Sequence, residues 1–138
     1  MPLTVVRASA VAANVPFTVT VPAQQQWRVF SVCAVVSRAA GGIPNRAYQL
    51  ALSDGTTTFV TSPAADAGTE PGTCTVTWCN GSPASVASGA TGVSLGPLTP
   101  VVLNPGYKLI GTVLNGTVTD QWTSAVVWVE YTDYAGGG

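Results

Sequence analysis

Few residues in this chain can do chemistry, and each reaction they suggest lacks a partner. Asp120 and Glu130 could serve as the carboxylate pair of a glycoside hydrolase, one acid protonating the leaving oxygen and the other attacking or activating water. Asp120 falls in a loop and Glu130 on a following strand, too far apart along one extended run to share a cleft unless the chain folds back. Ion pairing with Arg46 or Lys108 is the expected fate of either acid. The chain contains no histidine, which removes Ser-His-Asp and Cys-His catalysis and the common zinc sites. Cys74 and Cys79 have no second pair of ligands to complete a metal site. Gly89–Gly92 and Ala135–Gly138 lack the lysine and the following helix of a phosphate loop. The expectation is a protein that is not an enzyme, with no catalytic, cofactor-binding or metal-binding residue and no cofactor.

Two other groups of residues bear on binding. Trp27, Trp78, Trp122, Trp128, Tyr107, Tyr131 and Tyr134 could build a sugar-stacking platform, because aromatic rings combine flat apolar area with a polar handle. Core packing and subunit contact compete for the same rings. Arg46 is the only charge between Arg38 and Asp54. A lone arginine at a strand start pins a loop by bidentate hydrogen bonds, with Asp54 and Asp120 as the available carboxylates. A structural Arg46–Asp120 ion pair is the expected outcome.

The elements that must position these residues all read as strands. Trp27–Ser37 is one long apolar strand, with Val29, Cys33 and Val35 on one face and Phe30, Val32, Ala34 and Val36 on the other. Neither face suits water, so it should be central. After the corner Gly41–Arg46, Tyr48–Ser53 alternates as a strand with one face on a core. Phe17–Val21 between Pro16 and Pro22, Thr56–Thr61 after the Asp54-Gly55 turn, Thr73–Trp78 and Tyr107–Leu114 add further strands. In the last, Ser124–Thr132, the face of Val127, Val129 and Tyr131 is more apolar than that of Val126, Trp128 and Glu130. Trp128 is therefore expected outside and the other face in the core. Ser62–Gly72 reads as a surface loop, and Asn80–Gly96 as a long loop holding at most one edge strand.

Eight or nine strands without helical period or βαβ spacing indicate an all-β fold, an antiparallel β-sandwich of jelly-roll type before an open barrel. At 138 residues one domain suffices. Met1–Arg7 could be a short edge strand or an arm; the arm is preferred, so residues 1–14 are expected as an N-terminal arm reaching to another molecule, 15–134 as the sandwich and 135–138 as a tail. Five basic and six acidic side chains give a net charge of −1, so no electrostatic footprint for nucleic acid or a membrane is present. No signal-peptide pattern opens the chain and no apolar run has the ~18 residues of a membrane span, which suggests synthesis in the cytosol. The three cysteines are then expected as free thiols. Cys74 and Cys79 on one strand point to opposite faces, beyond the ~7 Å bridging limit.

Trp27-Arg-Val-x-Ser-Val, Pro44-Asn-Arg46 before an alternating strand, Leu103–Leu109, and Asp120 ahead of Val-Val-Trp-Val-Glu-Tyr give a pattern that resembles small virion proteins of tailed bacteriophages. It is most similar to the jelly-roll cement, or decoration, proteins of double-stranded DNA phage capsids. The resemblance implies a homo-oligomer, a dimer first and a trimer second, bound to the major capsid protein on the capsid exterior of a virion assembled in a bacterial cytoplasm. The contact residues expected are Leu3, Val5 and Arg7 of the arm, Val86 of the long loop, and Trp128. A carbohydrate-binding or receptor-binding sandwich module of a phage fibre or secreted protein is the alternative.

Overall fold

The computed structural model describes residues 2–38, 46–65, 72–80, 86–88, 93–98, 100–116 and 119–133. Among them there is no helix, and the strands are β1 (Leu3–Ala8), β2 (Phe17–Thr20), β3 (Gln25–Arg38), β4 (Ala47–Ser53), β5 (Thr58–Ala65), β6 (Gly72–Cys79), β7 (Val86–Ser88), β8 (Val93–Pro97), β9 (Val102–Leu103), β10 (Lys108–Leu114) and β11 (Gln121–Asp133). They form two sheets packed as a β-sandwich. The larger has the order β1-β11-β3-β6-β8-β7, with β9 pairing β3 beside Trp27 and Arg28, and the smaller has the order β2-β10-β4-β5. Every pairing is antiparallel except β6 with β8. Leaving aside β7 to β9, the pairs nest around the β4–β5 turn: β4 with β5, β3 with β6, β2 with β10 and β1 with β11.

Alternation decides which face is buried. In β4, Tyr48, Leu50 and Leu52 point inward, and in β6 Cys74, Val76 and Trp78 do the same. Between the sheets the aromatic rings meet at Trp122: Phe17 lies edge-on at 5.0 Å, Tyr48 at 5.8 Å and Trp78 at 6.4 Å between centroids. Phe17 and Tyr48 belong to the smaller sheet, Trp78 and Trp122 to the larger, so this cluster joins the two layers. The Trp78 indole N–H also donates to the Ser62 carbonyl at 3.0 Å, a second tie across the layers.

β3 departs from its expected faces. Trp27 and Val29 are buried, Phe30 is exposed, and Val32, Ala34 and Val36 are buried again. The cause is a β-bulge: Trp128 pairs Ser31 while Val129 pairs Val29, so Phe30 is the extra residue and the alternation changes phase there. Val29 thus joins the core face, and Phe30 leaves the face it would share with Val32. A second bulge, between Trp122 and Ser124, lets β11 bury both Trp122 and Ala125.

The N-terminal segment is also a correction, because residues 2–14 are not a free arm. Leu3–Ala8 pairs Ala125–Glu130 through an unbroken antiparallel register. The chain then follows β11 further, with the Val11 N–H donating to the Trp122 carbonyl and the Asn14 N–H to the Asp120 carbonyl. Val6, Ala8 and Val11 pack on the core, and β11 supplies the hydrogen bonds that a free arm would leave to water. Residues 86–97 contain two strands, β7 and β8, where at most one was expected. β5 runs on through Pro63 to Ala65, which an edge strand tolerates. The strand total therefore exceeds the expected eight or nine. The expected tail, 135–138, lies outside the described residues.

Candidate functional site

Arg46 and Asp120 lie in the interior, 3% and 2% exposed. The Arg46 Nε donates to Asp120 Oδ2 at 3.1 Å and an Nη donates to Oδ1 at 3.3 Å, the bidentate geometry in which guanidinium and carboxylate match. Arg46 stands just before β4 and Asp120 just before β11, so the pair links the entry of a strand in each sheet. The adjoining cavity, lined by Asn14, Thr112, Asp120 and Trp122 among others, is about 50 Å³. That is room for a water or two, not for a substrate. A Cβ at Gly116 would collide with the same carboxylate, so that side is closed as well. Glu130, the other acid of the hypothetical pair, sits instead on β11 beside Arg28, 3.8 Å away.

The outer face of the larger sheet is different in character. Val5 of β1 lies directly opposite Trp128 of β11, and Trp128 lies opposite Ser31 of β3. Leu3, Phe30 and Trp128 are 63%, 39% and 49% exposed, and with Ser31 they line one shallow depression of about 380 Å³. Phe30 also lines a neighbouring depression with Arg28, Pro100, Val101 and the exposed Val102. An exposed apolar strip thus runs from β1 across β11 to the β3 bulge, with Arg28 and Asn80 between it and Val102 of β9. Contiguous apolar surface of this kind marks an interaction site more often than isolated exposed residues do.

Of the residues expected to make contacts, the fold gathers Leu3, Val5, Arg7 and Trp128 onto this one face, Arg7 opposite Val126. Val86 is elsewhere: β7 is at the opposite edge of the sheet. Phe30 and Val102 were missed. Strict alternation puts Phe30 on a buried face, and the bulge that turns it outward has no sequence signal beyond the length of the strand.

Comparison with protein-family models, with curated proteins and with solved structures found no match. Among the described residues no group of His, Cys, Asp and Glu is arranged to hold a metal ion, and no helix is long and apolar enough to cross a membrane. Three of the four tryptophans, Trp27, Trp78 and Trp122, are buried in the core, so they are not available to stack on a sugar. Phe59 and Tyr107 pair on the smaller sheet with ring centroids 5.6 Å apart, but their planes are tilted by 56° and do not form a flat platform.

Proposed function

We propose that this chain is a non-catalytic structural protein of a virus particle, a capsid decoration protein that binds the outer surface of a major capsid protein lattice and stabilises the head. The observation that carries this reading is the exposed strip of Leu3, Phe30 and Trp128 on the larger sheet. A half-exposed tryptophan flanked by a phenylalanine and a leucine is the composition of an interface anchor. The near-neutral charge fits an apolar, weakly charged protein surface better than a polyanion. The nested strand pairing supports the further reading of the sandwich as a jelly roll. Repetition over a lattice turns a modest single contact into lasting attachment, because each neighbour raises the effective concentration of the next.

The test is made on phage particles purified from the bacterium that produces this chain. Antibody labelling should place the protein on the outside of intact heads. Particles stripped of it should take up the wild-type chain but not Trp128→Ala. Absence from the particle, or labelling confined to the tail, overturns the proposal. The sugar-binding alternative predicts retention on glycan arrays that is lost with the same substitution.

A further inference from the structure

We infer that the open edge of β1 is a pairing edge whose occupant is β1 of a second copy of this chain, joined antiparallel about a two-fold axis with Val5 opposite Val5. The phase of the strand is fixed by one bond, in which the Tyr131 N–H donates to the Pro2 carbonyl at 3.1 Å. With the register of Leu3 on Glu130, the backbone groups of Thr4, Val6 and Ala8 then face β11, while those of Leu3, Val5 and Arg7 face away from it. No described strand pairs that side.

The other sheet edges carry the devices that keep strands from pairing with strangers. β2 has four residues and lies between Pro16 and Pro22, β5 contains Pro63 and a register break against β4, and β7 has three residues. β1 is less guarded: Pro2 flanks it on one side only, and Arg7 is its single outward charge. Its six residues, Leu-Thr-Val-Val-Arg-Ala, include no proline or lysine, and its register against β11 is unbroken. A mostly apolar, regular edge with one charge, in a fold that interrupts or shortens its other edges, is suited to being covered.

One two-fold register pairs all three outward residues of β1 with outward residues of the second copy. Centring the two-fold on Val5 sets Leu3 opposite Arg7 of the second copy and aligns all the outward groups, for about six hydrogen bonds. Centring it on Arg7 would oppose like charges and shorten the ladder. In the Val5 register, Arg7 of the second copy extends over Leu3 toward Glu130, which directly opposes Leu3 on β11. Among the described residues the ion-pair partner of Glu130 is Arg28, at a long 3.8 Å and with a side chain 55% exposed, so it competes weakly. The arrangement is closed, so it gives a dimer and not a fibre. It also sets the row Trp128-Val5-Val5-Trp128 on one face, with the two tryptophans three strand spacings, about 14 Å, apart.

This inference stands apart from the capsid reading, since association is measured on the purified chain alone. In sedimentation equilibrium the wild-type chain should have twice its 14.0 kDa mass. Val5→Pro removes an outward N–H while leaving the bonds to β11, so the variant should melt like wild type yet associate about tenfold or more weakly. A wild-type monomer at high micromolar concentration, or an undiminished dimer of Val5→Pro, overturns the inference. Should Val5→Pro fail to fold, Val5→Cys decides. With oxidised glutathione accepting the two electrons and two protons, its thiols should join the two copies through position 5, as peptide mapping would show. Thr4→Cys, opposite Val6 in this register, should not. Cross-linking of Thr4→Cys, or none by Val5→Cys, rejects the register.

Discussion

Arg46 and Asp120 are 74 positions apart in the chain, and their side chains meet in the interior with Nε 3.1 Å from Oδ2. The Asn14 N–H donates to the Asp120 carbonyl, so one short segment ties together the β1–β2 connection, the entry of β4 and the entry of β11. Asp120→Ala leaves a guanidinium buried without its carboxylate and should cost ~3–5 kcal/mol. Replacing both partners with apolar residues, Arg46→Met with Asp120→Leu, should recover most of that loss, because neither charge then has to be desolvated. Urea unfolding of Arg46→Met, Asp120→Leu and the double variant, beside Asp120→Ala, measures the coupling. Equal losses in the single and double variants would assign the cost to packing instead.

Asp54 gives a pH signature. Its carboxylate accepts the N–H of Thr57 at 2.7 Å and of Thr56 at 2.8 Å in the β4–β5 turn. These two bonds, Thr57 first, hold its pKa below the ordinary carboxylate value. A group with a lowered folded pKa contributes its stability above the unfolded pKa, roughly 3.9 for Asp, and loses it as the pH falls through the folded value. The stability gap between wild type and Asp54→Asn should therefore be constant above about pH 5 and close below it. A gap that stays constant down to pH 2 would show that the charge contributes nothing and the turn geometry everything.

Gly111 lies opposite Phe17 in the β2–β10 pairing, and a Cβ there would enter the Phe17 ring. The ring cannot swing away, because it is fixed edge-on against Trp122 at 5.0 Å. Gly111→Ala should cost ~1–3 kcal/mol through overpacking, even though alanine is the better residue for an ordinary backbone. Pairing it with Phe17→Leu should relieve part of the cost, and thermal melts of the three variants decide.

Strand faces were legible where the stretch of strand itself holds no inserted residue. Leu50 and Leu52 of β4, and Val127, Val129 and Trp128 of β11, fall as alternation dictates. They were not legible in β3, because a single inserted residue at Phe30 reverses the phase, and a run of Val, Phe, Cys and Ala is apolar on both faces. The N-terminal segment misleads for another reason: Leu3–Ala8 has the composition of an edge strand and of an arm alike, and only the length of β11, Gln121–Asp133, decides that it is covered. The Arg46–Asp120 pair could be read because charges are so few that each has few partners. The patch could be read only in part, since Trp128 follows from alternation but Phe30 depends on the bulge.

The cysteines are free in the fold, Cys33 and Cys79 half-buried on the outer face and Cys74 buried with its Sγ 3.6 Å from the Ser94 hydroxyl. Alkylation in denaturant without reductant should therefore add three labels. Under native conditions Cys33 and Cys79 should react first and Cys74 only as the sandwich opens, because a thiol must be reached to be modified. Mass-mapped labelling over time checks the order, and early reaction at Cys74 would mean that the β6–β8 side opens locally.

Neighbouring residues of β11 separate folding from binding. Val127 is fully buried against the core, while Trp128, the next residue, is 49% exposed on the outer strip with Leu3 and Phe30. Val127→Ala removes buried methyl groups and leaves a cavity, so it should cost about 2 kcal/mol of stability. Trp128→Ala removes a ring that the isolated sandwich only half covers, and should cost less than about 1 kcal/mol in the purified, undocked chain. In binding the order reverses. Truncating an aromatic anchor typically costs ~2 kcal/mol or more, so under the proposed decoration role Trp128→Ala should weaken capsid attachment by about thirtyfold while Val127→Ala, once folded, keeps it. Denaturation curves and binding isotherms on stripped particles for the two variants provide the comparison. If Trp128→Ala binds normally, the outer strip is not the contact surface; if it unfolds, the ring packs on the domain more than its exposure indicates.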